Sequence, residues 1–188
     1  TINAVYADLY GNVFDYYNGI TDLENGIVRF IGNPDERVKE DYLRIMRFFR
    51  FYSIFSKKPI DKNALKACVD NKDGLRTISI ERVRDELFKL LVTPKAAETM
   101  QIIFEKEILS YFLPNKSTHF EALQHLTELV EDMKYEGNFL RRLFVFYQPN
   151  SSEAENIART LRFSKKQKDI FVSWAKINFM PENISTPT

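Results

Sequence analysis

Arginine recurs at every third position through Arg44, Arg47 and Arg50, inside the aromatic stretch Glu40-Asp41-Tyr42-Leu43-Arg44-Ile45-Met46-Arg47-Phe48-Phe49-Arg50-Phe51. This spacing predicts a helix from about 40 to 56, stopped near Pro59. At ~100° per residue, Glu40, Asp41, Arg44 and Arg47 share roughly one third of its circumference. Ionised groups among so much Phe and Tyr must be paired, solvated in a cleft or facing a polar ligand, because burying them bare is costly. A cleft that takes a ligand is the sharpest of these readings.

The chemistry of such a face is specific. A carboxylate only accepts hydrogen bonds and a guanidinium only donates them. Side by side they complement an edge that offers an exocyclic amino group next to an unprotonated ring nitrogen. Cytosine and adenine present that pattern, whereas guanine and uracil place a carbonyl beside a ring N–H. The blander alternative is an acid favoured by the dipole at a helix start, followed by i,i+3 ion pairs on a wet face.

Around this helix the chain reads as mainly α. Residues 1 to about 31 are the exception. Alternation through Ile2, Ala4 and Tyr6, a Gly11-Asn12 turn, Val13-Phe14, and Asn25-Gly26 leading into Ile27-Val28-Arg29-Phe30-Ile31 predict strands. Asp22-Leu23-Glu24 reads as a solvated turn. Such an edge without its neighbours is an association hazard, so the segment is expected to be disordered, rearranged or paired with another chain. Asn33, Pro34 and Glu36 predict a capped short helix. Asp61 opens a helix to about 71 with Gly74 in the following loop, Ser79 caps one to about 92, and Thr93-Pro94 starts one to about 106. Ser117 or Thr118 opens a helix along Phe120, Leu123, Leu126, Leu129, Val130 and Met133, interrupted by Gly137. Helices near 138–147, 152–162 and 165–179 follow, and Pro181 to Thr188 is expected to fray.

Several chemistries fail on residue supply. His119 and His125 are six apart, which does not join them on one helix face, and Cys68 is the single cysteine. No Ser/His/Asp or Cys/His arrangement emerges, so no catalytic residue and no metal ligand is assigned. The lone cysteine fits a small core residue in a reducing compartment, and no apolar run approaches the ~20 residues of a membrane span; a cytoplasmic protein is expected. The net charge of +1 requires any RNA contact to come from local patches. The candidates are Lys57-Lys58, Arg141-Arg142, and Lys165, Lys166 and Lys168, the last set lying where cations oppose the helix dipole and a phosphate would relieve the conflict.

Four stretches occur in an informative order: Thr1-Ile2-Asn3-Ala4, then Asp15-Tyr16-Tyr17-Asn18-Gly19-Ile20-Thr21-Asp22-Leu23, then Glu40-Asp41-x-x-Arg44-x-x-Arg47-x-x-Arg50-Phe51, then Ile78-Ser79-Ile80-Glu81-Arg82-Val83-Arg84-Asp85-Glu86-Leu87. Together they resemble the bacterial class II tRNA nucleotidyltransferase family, which contains the CCA-adding enzymes and bacterial poly(A) polymerases. The resemblance covers the first 90 or so residues by motif and the remainder by helical pattern. It implies that Asp41 and Arg44 form the template that reads the incoming base, with Glu40 positioning it and Arg47, Arg50 and Asn3 also binding nucleotide. It makes Asp15, Gly19 and Asp22 a hinge, and Ser79, Glu81 and Arg82 a brace for the template helix. It divides the chain into a β remnant of the head sheet (1–31), a neck (32–92) and a helical tRNA-binding body (93–188).

The departures matter as much. The family's Gly-Ser segment and D-x-D pair, which hold Mg2+ for nucleotidyl transfer, have no counterpart here, and no Gly-rich phosphate loop is present. The implied reading is therefore a nucleotide-selecting, RNA-binding part of an enzyme that adds C and A from CTP and ATP to tRNA 3′ ends, expected to be inactive alone. The alternatives are a poly(A) polymerase of the same family and a non-catalytic helical interaction module.

Overall fold

The computed structural model describes residues 5–113, 118–132 and 138–177. It opens with an antiparallel hairpin of β1 (Val5–Ala7) and β2 (Val13–Asp15), in which Val5 faces Asp15, Tyr6 faces Phe14 and Ala7 faces Val13. Asp8 closes the turn, its Oδ1 accepting from the N–H groups of Tyr10 and Asn12 at 2.9 Å each. The expected alternation at Ile2 and Ala4, like Asn3, lies outside the described residues.

After the hairpin the strand reading fails. Residues 19–25 form a helix, α1 (Gly19–Asn25), so Asp22-Leu23-Glu24 is helical and Asp22 is buried, not part of a solvated turn. Asp15 explains the start: its carboxylate accepts from Gly19 N at 2.7 Å and Ile20 N at 2.9 Å, satisfying donors that a helix leaves unpaired. Gly26 ends α1 in the left-handed region at φ 65°, and its carbonyl accepts from Lys57 N at 2.9 Å. A Cβ at Gly26 would stand 2.5 Å from that nitrogen, so the crossing needs glycine for room as well as for φ. Residues 27–31 form no strand because their apolar side chains cover α3 instead; Phe30 stacks on Phe48 with ring centroids 5.3 Å apart.

The helix predicted over 40–56 starts later in the structure, at Leu43, because Glu40 ends the short helix that Asn33 and Pro34 predict. α2 (Pro34–Glu40) starts at Asn33, whose side chain accepts from Asp35 N instead of pairing with Glu36, and α3 runs Leu43–Phe55. Between them Asp41 is extended at φ −156° and ψ 106°. Its Oδ1 accepts from Leu43 N at 3.1 Å, so the acid supplies a partner to the new helix start, where carboxylates are favoured over mid-helix positions.

The remaining elements follow their local signals closely. α4 (Lys62–Asp70) is capped by Asp61, whose carboxylate accepts from Ala64 N at 2.7 Å. A 3-10 segment (Lys72–Thr77) replaces the loop expected around Gly74. α5 (Ile80–Leu91) begins after Ser79, although the Ser79 hydroxyl makes no capping bond, and α6 (Ala96–Glu105) starts two residues after Pro94. α7 (Phe120–Asp132) and α8 (Phe139–Tyr147) flank residues 133–137, so the expected interruption at Gly137 lies outside the described residues, as do Ser117 and the tail from 181. α9 (Ser151–Thr160) and α10 (Lys165–Lys176) each carry a full capping box, Asn150 with Glu153 and Ser164 with Gln167.

One apolar core joins these helices. Ile45, Met46 and Phe49 of α3 meet Leu87, Leu90 and Leu91 of α5, Met100 and Ile103 of α6, Leu123 of α7, Phe146 of α8 and Phe171 of α10. Cys68 belongs to it, and burial pushes its thiol up to about 12, leaving it an inert apolar group. Arg142 is buried as well: its Nη1 donates to the carbonyls of Leu91 at 2.8 Å and Thr93 at 3.2 Å, closing the end of α5. The Arg141-Arg142 pair is therefore no surface patch. Among the described residues no helix is long and apolar enough to cross a membrane.

Candidate functional site

The break at Asp41 sets the polar side of α3 against a cleft of about 510 Å³, within the size range of ligand pockets. α3 supplies Arg44, Arg47, Phe48, Arg50 and Phe51 to its wall; Arg37 comes from α2, Arg29 to Ile31 from the segment after α1, and Glu86 and Lys89 from α5. Asp41 stands on the same wall. Six cations thus face two carboxylates in a chain whose net charge is only +1. A cationic cleft with partly apolar walls concentrates anions.

Carboxylates hold these cations in place. Glu40 accepts from Arg37 Nη1 at 2.7 and 2.8 Å and from Arg44 Nη1 at 2.5 Å, and Arg44 also donates to the carbonyl of Arg37 at 2.7 Å. Arg44, and secondarily Arg37, hold the Glu40 carboxyl below its ordinary 4.5. Asp41 Oδ2 accepts from Arg82 Nη2 at 3.2 Å. Glu86, only 5% exposed, accepts from Arg50 Nε at 2.7 Å, with Arg47 Nε and Lys89 Nζ both 3.7 Å from its other oxygen. Asp22 accepts from Arg29 Nε at 2.7 Å, and that bond raises the arginine above its usual value.

These pairs leave useful valence. A carboxylate offers about four acceptor positions, of which Asp41 uses one on Leu43 N and one on Arg82. A guanidinium carries five N–H donors, and among the described hydrogen bonds Arg44 engages only Nη1. Acceptor and donor therefore line one cleft, with Phe51 offering aromatic surface beside them.

The structure brings Asp41, Arg44, Arg47 and Arg50 together, with Glu40 behind Arg44. Asp15, Gly19 and Asp22 sit at and within α1, connected to the cleft through Arg29. The expected brace divides: Arg82 reaches Asp41, whereas Glu81 accepts from Arg162 Nη1 at 2.6 Å and so ties α5 to the turn before α10. Among the described hydrogen bonds the Ser79 side chain has no partner on α3. Lys165, Lys166 and Lys168 are exposed in the first turn of α10, outside the cleft. Sequence reasoning gives no cleft role to Arg29, Arg37, Glu86 or Lys89. Glu86 has a readable signal, since Val83, Leu87 and Leu90 are apolar and an acid three residues after the first sits on their face.

Known proteins share this architecture. The family described as "Probable RNA and SrmB- binding site of polymerase A" matches residues 59–119. The mitochondrial CCA tRNA nucleotidyltransferase 1 of Danio rerio is 33% identical over 173 residues, 90% of this chain and 39% of its own length. The CCA-adding enzyme of Lactobacillus helveticus is 38% identical over 129 residues, 69% of this chain and 32% of its own. The crystal structure of the Bacillus stearothermophilus CCA-adding enzyme in complex with CTP superposes with a TM-score of 0.71 and 25% identity, covering 98% of this chain and 47% of that one. The chain spans less than half the length of the curated relatives it matches. With these relatives beside a mainly helical fold, the chain belongs to the CCA-adding enzyme and poly(A) polymerase family.

Proposed function

We propose that the cleft selects cytosine and adenine nucleotides for addition to the 3′ end of tRNA. The observation that carries this is the placement of Asp41 and Arg44 on one cationic wall, acceptor beside donor. Arg47, Arg50 and Asn3 are assigned to nucleotide binding with them, and Glu40 and Arg82 to holding the reading pair. The Bacillus stearothermophilus enzyme was crystallised as a complex with CTP, which supports the ligand class. Asp15, Gly19 and Asp22 are read as the hinge: Asp15 starts α1 and Asp22 holds Arg29. Residues 1–31, 32–92 and 93–188 are then read as head remnant, neck and body, although one core runs through the described residues of the last two.

Family chemistry implies Mg2+ in the transfer step. This chain is assigned binding and selection, on the acceptor and donor groups that line its cleft. The 188-residue chain is proposed to bind CTP and ATP without transferring them, in the cytoplasm. The uncovered Tyr6, Val13 and Phe14 of the hairpin support association there with a further protein surface.

Calorimetric titration with the four triphosphates tests the reading. CTP and ATP should bind more tightly than UTP and GTP; four equal affinities would sink it. The matched polymerase A description favours one second reading, an adenine-only enzyme, which would show as binding of ATP with rejection of CTP.

For RNA, Lys165, Lys166 and Lys168 are assigned to phosphate contacts, held at the start of α10 by the Ser164–Gln167 capping box. Replacing all three by alanine should weaken tRNA binding and flatten its log–log salt dependence by roughly 2 to 3, near one for each phosphate lost. An unchanged slope would move the RNA contact to residues 59–119.

A further inference from the structure

The residue that reads the base must point in one direction, yet Asp41 is extended in the two-residue break between α2 and α3, where only the carbonyls of Asp41 and Tyr42, accepting from Arg44 N at 2.9 Å and Ile45 N at 3.1 Å, tie the backbone to the start of α3. The 3-10 segment Lys72–Thr77 packs against this break from the other side. Just before it, Asn71 Nδ2 donates to Asp35 Oδ1 of α2 at 2.7 Å. Within it, Gly74 lies under the ring of Tyr42, the residue that follows Asp41 and precedes α3. A Cβ at Gly74 would stand 2.2 Å from Tyr42 Cδ1, 2.3 Å from Cε1 and 2.4 Å from Cγ. Real Cβ contacts are never so short, and an aromatic ring cannot fold out of the way as the end of a lysine can. Gly74 has no left-handed φ, so this position needs glycine for room, not for backbone freedom.

We infer that Gly74 and Tyr42 form a clamp that sets the direction of Asp41, making Gly74 a positioning residue for base selection. Asn71 on Asp35 and Gly74 under Tyr42 grip the chain on both sides of the break. Arg82 then meets a carboxylate whose place is already determined. The arginines of α3 lie beyond the clamp and are held by Glu40 and Glu86, so a loosened clamp disturbs the reading of the base and spares the attraction for the triphosphate.

This inference rests on the proposed base selection, and the experiment separates the two. CTP and UTP affinities are measured by calorimetry for the wild-type chain, Gly74→Ala, Tyr42→Leu and Thr77→Val. A wild-type chain without a CTP preference removes the functional reading itself. With that preference present, Gly74→Ala should reduce the CTP/UTP ratio about tenfold, while inorganic triphosphate, which has no base, binds as to the wild type; small misplacements of a reading group have effects of at least this size. Tyr42→Leu removes the ring without overpacking and should show the same loss if Gly74→Ala does not fold. Thr77→Val deletes the 2.8 Å bond from Thr77 Oγ1 to the carbonyl of Gly74 without touching Tyr42, and should keep the ratio. An unchanged ratio in the folded clamp variants, or an equal loss in Thr77→Val, overturns the clamp.

Discussion

Glu86→Ala is expected to cost the folded protein about 3 kcal/mol, the low end for removing one partner of a buried ion pair. The side chain of Glu86 is 7% exposed and takes the Arg50 Nε bond at 2.7 Å, while Arg47 and Lys89 stand farther off. Deleting it leaves the guanidinium of Arg50 without its acceptor among aromatic neighbours, one of which, Phe51, lies 4.5 Å beneath the charge. The low end applies because Arg50 is one-fifth exposed and can turn toward water. In a chain of this size the thermal midpoint should fall by roughly 6–12 °C. Urea unfolding measures the free energy directly, and its slope should stay constant because the same surface is buried. Arg47→Ala is the control: nearly half exposed, it should lose less than about 1 kcal/mol. A loss that small for Glu86→Ala would show that water serves Arg50 as well as the carboxylate does.

Arg44→Ala should bring CTP and UTP affinities close together, a change of about 10- to 100-fold in their ratio, as expected for losing one good bidentate pairing. Arg44 is fixed from behind by Glu40 and the carbonyl of Arg37, which presents the rest of its fork to the cleft. Glu40 can serve this role across the neutral range because its depressed pKa keeps it ionised; that bracing is present above its ordinary 4.5 and is lost only as pH falls through the lower folded value. Arg44→Lys restores the charge without the planar fork, so it should recover triphosphate affinity and leave the ratio impaired. Discrimination by Arg44→Ala equal to that of the wild type would mean that another group reads the base.

Some features of the fold are legible residue by residue. Asp61 before Lys62 marks a helix start because a short acid can take the first free N–H groups, and the structure shows that bond. Three-to-four spacings mark the helices after Asn33, and the Gly11-Asn12 turn falls between the paired strands β1 and β2. The failures have equally local causes. Spacing makes Asp41 one position on a helical face although an acid there prefers to cap, and Ile27–Ile31 is rich in the β-branched and aromatic residues of a strand while its side chains find α3 instead of a partner strand. Gly74 carries no pattern at all, because its function lies in the ring that rests on it.

The sequence by itself determined that a row of arginines would share a helix with aromatic residues and that acids would stand near its start, because spacing along the chain dictates which side chains share a face. Only the tertiary structure decided which acid each cation meets. Arg50 finds Glu86 across 36 residues, Asp41 finds Arg82 across 41, and Glu81 finds Arg162 across 81. Periodicity is a local constraint on the backbone, whereas these pairings depend on how the buried faces of α3, α5 and α10 pack, and that is settled by the core they share.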